Sequence, residues 1–463
     1  MNLSALLTGM LPENLLLVGI VVLLVQAIVG EHGRGAAALS IGFVGAAAAC
    51  AAVLGLAGFA GTPFEGQLSV TPAASYGKAV ALALALPVLL LAHDDLGDGG
   101  PLYPLMLSSL YGLTLMLGAD SFLTLFLGLE LMSLPVYALV LMGIARTSAA
   151  EAALKYTVLG GAATATLLMG VSLLYGHSGT LALAGFAGAL GGHDAMATTG
   201  AVMVLLAFFL KGAVVPFHTW APDAYEGAHV PVTGYMAAIV KAGVLLAALR
   251  LFGDTALAGP MVGLLALLPL VSIVWGNLAA MRQPNLRRMM AYSSIAHAGY
   301  LYLAFLGAGP GRFASVWFYL LAYGVMTVLA FALLPRHADD VQRDTLEQLK
   351  GLFHRSPYAA IAIGLAMLSL AGIPPLPGFV AKFQIFREVM AAGHTEIAVA
   401  GLVGSYLGIY FYLRVIQYMF MAPVAAAAEG SAPPRGAAIA ASALCLLPAI
   451  VAAVLPGSLL TLL

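Results

Sequence analysis

Two lysines stand inside apolar sequence, Lys211 behind MVLLAFFL and Lys241 behind YMAAIV. A charged side chain at the centre of a lipid-spanning helix costs roughly 2.5–3.5 kcal/mol on insertion scales, a cost seldom kept without a use. Between them fall Pro216, Pro222 and Pro231, with Gly212, Gly227 and Gly234. The first helix should therefore lose backbone hydrogen bonds just past its lysine. Broken backbone at membrane depth survives only where it is packed in protein or lines a wet cavity. A lysine beside a helix break, followed by another on the next span, has the layout of an ion path. Glu130, in SFLTLFLGLELMSLP, lies about ten residues into its span, some 15 Å deep at helical rise. Lys241 lies at a similar distance after Pro231. Opposite charges at one depth on separate helices offset each other's burial, which penalises both charged forms. A lysine held by one carboxylate releases its proton when that partner moves away and regains it when the pair re-forms. The plainer reading, a static structural ion pair, stays open beside it.

Lys155, in EAALKYTVLG, and Lys382, after AGIPPLPGF, complete a set of four lysines within spans. Lys155 is only a few residues into its helix, where snorkelling to the surface competes with a place in the path. His297, mid-span in AYSSIAHAGY, is either a relay working through both ring nitrogens or a hydrogen-bonded core histidine. Tyr292, Ser293, Ser294, Tyr323 and Thr327 are candidates for a hydrated relay and equally common packing residues in membranes. His218, Asp223 and Glu226 follow the seventh span and are read as holding that loop.

The elements that must position these side chains follow from composition. Charged residues make up 8% of the chain and apolar ones 62%, against about 25% charged in soluble proteins. This excludes a soluble multidomain protein and indicates an all-α polytopic membrane protein. A formal net charge of −1 suggests neither nucleic acid nor a charged soluble partner. Cys50 and Cys445 sit in separate apolar stretches and support neither a disulfide framework nor a metal or Fe–S site. The first thirteen residues carry no Lys or Arg, so the first apolar run reads as a retained helix.

At about 20 apolar residues per crossing, fourteen spans are expected, near 12–31, 37–60, 76–93, 101–119, 121–143, 150–176, 197–218, 231–252, 257–281, 285–307, 312–335, 357–391, 396–421 and 437–461. The alanine-rich run 178–191 reads as a loop or a short buried helix. Loops after odd-numbered spans hold Arg34, Arg146, Arg282, Arg287, Arg288, Arg336, Arg343, Lys350, Arg355 and Arg435. Those after even-numbered spans hold only Lys78, Arg250, Arg312 and Arg387. The asymmetry puts both termini on the non-cytoplasmic side. All of these residues are taken as peripheral, and Arg414 as snorkelling.

Residues 357–391 would form a helix of roughly 50 Å, too long for one crossing, and AGIPPLPGF interrupts it just before Lys382. A broken helix with one lysine thus occurs twice, five spans apart, the pointer to two inverted five-helix repeats. The expected segments are 1–100 with three helices, 101–252 and 253–421 as the repeats, and 422–463 as a C-terminal helix. The polar loop 336–357 has Leu346, Leu349, Leu352 and Phe353 at helical spacing and reads as a short helix on the membrane face or a solvated linker. No Walker A sequence, dinucleotide fingerprint or cysteine cluster occurs, so the chain shows no site for ATP, NAD, flavin or Fe–S. The drive for ion movement must come from a gradient or a partner subunit.

At FLGLELMSLPVYAL, FHTWAPDAYEGAHVPVTGYMA, RMMAYSSIAHAGY and AGIPPLPGFVAKF, the sequence resembles the antiporter-like membrane subunits of proton-pumping NADH:quinone oxidoreductase, respiratory complex I. The similarity runs over nearly the whole chain and is greatest to the subunit N branch, since the chain is short, lacks a long lateral helix and carries Lys382 where another branch has glutamate. The resemblance implies that Glu130 and Lys211 form the ion pair of the pumping unit. It makes Lys241 the central relay, Lys382 the connection onward, and Lys155 and His297 members of the hydrophilic axis. It further implies the two inverted repeats, neighbouring antiporter-like subunits, a bacterial inner membrane, and NADH, FMN, Fe–S clusters and quinone in partner subunits. The alternative kept is a subunit of a multisubunit sodium/proton antiporter. His229, in EGAHVPVT, departs from the small or hydroxyl residue expected there and adds a titrating group at the mouth of the eighth span.

Overall fold

Apolar runs of this length leave helix as the only way to satisfy the backbone in lipid, and every stretch read as a span contains helix. The computed structural model describes residues 7–29, 35–98, 101–143, 146–190, 194–252, 259–307, 310–335, 345–421 and 436–462. Among these, eleven helices are long and apolar enough to cross a membrane, and Leu102–Leu117 and Pro357–Ala371 are shorter apolar helices. Arg34, Arg336, Arg343 and Arg435, used above for orientation, lie outside the described residues.

The chain divides into two compact units, one of residues 1–139, 156–211 and 239–258, the other of 140–155, 212–238 and 259–463. The first contains α1 (Leu11–Val29), α2 (Ala36–Leu56), α3 (Pro72–Leu96), α4 (Leu102–Leu117), most of α5 (Phe122–Leu141), α6 (Arg146–Ser178) from Tyr156 onward, α7 (Ala184–Leu190) and α8 (Ala195–Gly212) to Lys211. The run 178–191 thus yields a short helix. An antiparallel hairpin pairs β1 (Gly61–Phe64) with β2 (Leu68–Val70), a small addition to the expected all-α fold. It turns at Gly66, whose φ of 68° suits glycine. Glycines set the helix spacing. A Cβ at Gly128 would come within 2.8 Å of Met116 N, and Gly170 and Gly200 face each other's carbonyls at 2.7 and 2.8 Å by the same measure. These are small-residue contacts that let membrane helices approach backbone to backbone, and they set α5 against α4 and α6 against α8.

The second unit holds α9 (Trp220–Gly227), α10 (Val230–Tyr235), α12 (Pro260–Ala280), α13 (Leu286–Leu303), α14 (Pro310–Ala332), α15 (Leu352–Arg355), α16 (Pro357–Ala371), α17 (Pro377–Ala391), α18 (Thr395–Met421), α19 (Gly436–Val454) and α20 (Pro456–Leu462). Gly276 and Gly299 play the same packing role between α12 and α13. In the chain, a five-residue π-helical turn, Met236–Val240, separates α10 from α11 (Lys241–Phe252), which belongs to the first unit. Over the described part of the loop, turns lead into the single helical turn α15, whose leucine face is packed into the protein rather than laid on a membrane surface. Leu346, Leu349 and Leu352 are buried in the protein, and Gly351, at φ 64°, interrupts the chain. The backbone is tied to Pro284 O by Leu346 N–H (2.9 Å) and to Tyr418 O by Gly351 N–H (3.0 Å).

Candidate functional site

Glu130, Ser133 and Tyr137 are spaced i, i+3 and i+7 along α5, so they share one helix face. Lys211, on the last turn of α8, meets that face. Its ammonium donates to Glu130 Oε1 at 3.1 Å, Ser133 Oγ at 3.2 Å and Tyr137 OH at 3.2 Å. All three N–H donors of the lysine are thereby used. Thr164 Oγ1, on α6, stands 2.5 Å from the same carboxylate oxygen and 3.0 Å from Gly160 O. Its single proton serves one of the two at a time. The ion pair therefore joins Glu130 to Lys211, as the family resemblance implied. Ser133, Tyr137 and Thr164 escaped the sequence reading, although the first two were legible as helical spacing from Glu130.

The break after Lys211 comes where prolines required it. The helix ends at Gly212, short of the expected 218, Ala213 takes a left-handed φ of 59°, and Val215–Pro216 is cis. Val215 N–H finds Ser272 Oγ at 2.9 Å. Lys241 is buried and is the first residue after the π-turn, an irregularity frequent at functional sites that the sequence did not reveal.

Lys382 is held differently. Gly372, at φ 88°, ends α16 as a left-handed cap, and the Pro374–Pro375 bond is cis. The cap leaves the last carbonyls of the helix without intrahelical donors. Lys382 Nζ donates to Leu370 O and Ala371 O, both at 3.0 Å, and to Ser405 Oγ at 3.1 Å, with the Tyr300 ring centroid 5.0 Å away. The negative end of the helix dipole does here what a carboxylate does for Lys211. Beside it lies a cavity of about 510 Å³ lined by Phe379, Phe383, Phe386, Tyr406 and others.

His297 is buried on α13, with Tyr319 OH 2.8 Å from Nδ1 and Tyr412 OH 3.1 Å from Nε2. Tyr412 OH is 2.5 Å from Ser293 Oγ, and Ser294 Oγ is 3.1 Å from Tyr225 OH. Both imidazole nitrogens thus touch hydroxyls. Tyr319, Tyr412 and Tyr225 were not foreseen. Lys155 follows the snorkelling alternative. It is 44% exposed and contacts Glu151 and Asp223, each at 2.6 Å. Asp223 also meets Arg288 at 2.7 Å, which reaches Glu226 at 2.9 Å. Burial would raise the Asp223 carboxyl, but the bonds from Lys155 and Arg288 outweigh it and hold the group below the ordinary carboxylate range. This network ties down α9, the loop role read from the sequence. His229 Nε2 is 2.9 Å from Met142 O at the start of α10.

The peripheral reading of the remaining cations also needs correction. Arg287 and Arg312 are buried, their guanidinium groups donating to Ala228 O (2.5 Å) and Gly307 O (3.0 Å). Arg414 donates to Met281 O at 2.6 Å and to Gln283 O, rather than reaching outward. Lys78 is 1% exposed and lies 2.7 Å from Glu13.

The fold is that of a multi-span helical membrane protein with a carboxylate–lysine pair beside a helix break. The chain matches the family described as NADH:quinone oxidoreductase/Mrp antiporter, TM, over residues 119–408. It is 38% identical over 416 residues to NADH-quinone oxidoreductase subunit N of Pelobacter propionicus, covering 90% of this chain and 89% of that protein. Among solved structures it resembles a chain of respiratory complex I from Thermus thermophilus with bound aureothin, with 34% identity, a TM-score of 0.83 and coverage of 97% and 98%. A chain of the Mrp complex from Dietzia sp. shares the fold at 21% identity, TM-score 0.86, over 100% of this chain and 96% of that one. The chain belongs to the antiporter-like membrane-subunit family of NADH:quinone oxidoreductases, in its subunit N group.

Proposed function

We propose that this chain translocates protons as a membrane subunit of an NADH:quinone oxidoreductase, driven by quinone reduction in partner subunits. The Glu130–Lys211 contact at 3.1 Å carries the reading. While Glu130 is charged and in place, the buried ammonium has one ionic and two hydroxyl acceptors. When a neighbour draws Glu130 away, only Ser133 and Tyr137 remain. Hydroxyl dipoles alone hold a buried charge poorly, so Lys211 gives up its proton and recaptures one when the carboxylate returns. Lys241, His297 and Lys382 are the further relay groups, each buried. Lys155, itself exposed and paired with exposed Glu151 and partly buried Asp223, is assigned to the aqueous end of the path.

In this reading the two broken helices belong to inverted repeats, and the subunit sits in a bacterial inner membrane with both termini non-cytoplasmic. Its partners are further antiporter-like subunits, and FMN, Fe–S clusters, NADH and quinone are bound elsewhere in the assembly. The test is Lys211→Ala in the assembled complex: proton pumping should collapse, and undiminished pumping would reduce the buried charges to scaffolding. A second reading, a subunit of a multisubunit sodium/proton antiporter, is favoured by the shared family description and fold. Co-purification with flavin and Fe–S proteins supports the first reading, and partners without redox centres support the second.

A further inference from the structure

The first unit contains another buried carboxylate–lysine pair, remote in sequence from the residues used above. Glu13, in the first turn of α1, and Lys78, early in α3, approach to 2.7 Å with side chains 0% and 1% exposed. Withdrawing two such charges from water is costly, and attraction offsets the cost only when geometry is good and the remaining valences are filled. Here they are not filled. Among the described residues, neither Glu13 oxygen, nor Lys78 Nζ, nor Ser75 Oγ one turn before the lysine, makes a hydrogen bond of regular geometry. Lys211, by contrast, has a regular acceptor for each of its donors. Buried polar groups with open hydrogen-bonding capacity call for an explanation other than strength.

The surroundings supply one. Lys78 Nζ stands against the turn after α4, 3.5 Å from where a Cβ at Gly118 would lie. The same turn carries a second, half-exposed ion pair. Arg250 donates to Asp120 Oδ1 and Leu117 O, both at 2.6 Å, and to Ser69 Oγ at 2.9 Å, while Ser69 Oγ donates to Asp120 at 2.8 Å. A wholly buried pair and a partly wetted one thus flank a single backbone turn.

We propose that Glu13 and Lys78 form a second proton-exchanging couple of this chain, communicating with the surface past the Gly118 turn and Asp120. Transfer of one proton from the Lys78 ammonium to the Glu13 carboxylate leaves a neutral amine and a neutral acid. The amine, which stands against the Gly118 turn, takes up a proton from water reaching the turn past Asp120, and the acid gives its own proton to a second water, which restores the pair, so one proton moves per cycle. The inference rests on the proton-translocating reading above.

Its test uses the intact complex in sealed membrane vesicles, with Glu13→Gln, Lys78→Met and the double variant Glu13→Leu/Lys78→Met. Subunit content, NADH oxidation and protons pumped per NADH are measured together. Replacing both partners by apolar residues removes the burial cost, so a merely structural pair should be tolerated in the double variant. The expected result is an assembled double variant whose proton yield per NADH falls several-fold, as in the single variants. An assembled double variant with unaltered yield overturns the proposal, and so does one that fails to assemble, because the pair would then serve folding. Lys211→Ala in the same membranes separates the two claims. If it too leaves the yield intact, the parent reading fails, whereas a loss confined to Lys211→Ala removes only the Glu13–Lys78 couple.

Discussion

Gly160→Ala adds one methyl group yet should disable the Lys211 switch. Gly160 lies on α6 against the tip of Tyr137, and a Cβ there would stand 2.7 Å from Tyr137 Cζ and 3.3 Å from Cε1. The ring has little room to yield, because Tyr156 packs edge-on against it, with centroids 4.6 Å apart and planes at 79°. The hydroxyl must therefore leave Lys211, which it accepts from at 3.2 Å. A hydrogen bond to a charged group contributes about 1.5–3 kcal/mol, and about 1.4 kcal/mol is tenfold in population. The resting pair should thus be depleted roughly 10- to 100-fold, with proton flux in vesicles falling by about tenfold or more. Tyr137→Phe removes the hydroxyl without the methyl and should reproduce the defect. In the double variant the two losses should not add, since they act through one contact. Wild-type flux in Tyr137→Phe would refute the reasoning, because the third acceptor of Lys211 would then be dispensable.

Lys382→Met should lower pumping and speed amide exchange around 368–378. It strands the carbonyls of Leu370 and Ala371 at about 1–3 kcal/mol for each buried group, and unchanged exchange would argue against the cap. Asp223 has a depressed pKa in the folded chain. Its stabilisation of α9 is therefore complete above the ordinary carboxylate value and lost as pH falls through the depressed one. Protease cleavage near Trp220–Gly227 should rise in acid, and Asp223→Asn should cleave at the raised rate at all pH values. Burial lowers the His218 pKa against the opposing bond to the Pro216 backbone, and its Nε2 accepts from Trp275 Nε1–H at 3.0 Å. Protonation ends that acceptance, so Trp275 emission should shift with a midpoint below the ordinary imidazole value of 6.5. A midpoint above it would contradict the burial argument.

The helical character of the apolar runs was legible because lipid leaves few options for them, though eleven rather than fourteen helices among the described residues have spanning length. The breaks at Lys211 and Lys382 were legible because proline has no N–H to give. What was not legible depends on partners distant in sequence. Lys78 follows SYG at the start of a helix and looks interfacial until α1 brings Glu13 against it. Arg312 follows Pro310-Gly311 and read as a loop residue, yet it turns inward to cap Gly307. For Lys155, read as either snorkelling or in the path, the sequence shows Glu151 one turn earlier but not Asp223, the distant carboxylate it meets at 2.6 Å. The π-turn before Lys241 left no local mark, because MAAIV suits an ordinary helix equally well.

The Lys211 and Lys382 sites differ in what heredity can reach. Every oxygen around Lys211 belongs to a side chain, so a single codon can weaken, remove or replace any of them, and the site can drift by small steps. Two of the three around Lys382 belong to the main chain, and no exchange of residue at 370 or 371 deletes them. Retuning that site demands shifting the helix end itself, through Gly372 or the prolines behind it, which makes it the harder of the two to redesign.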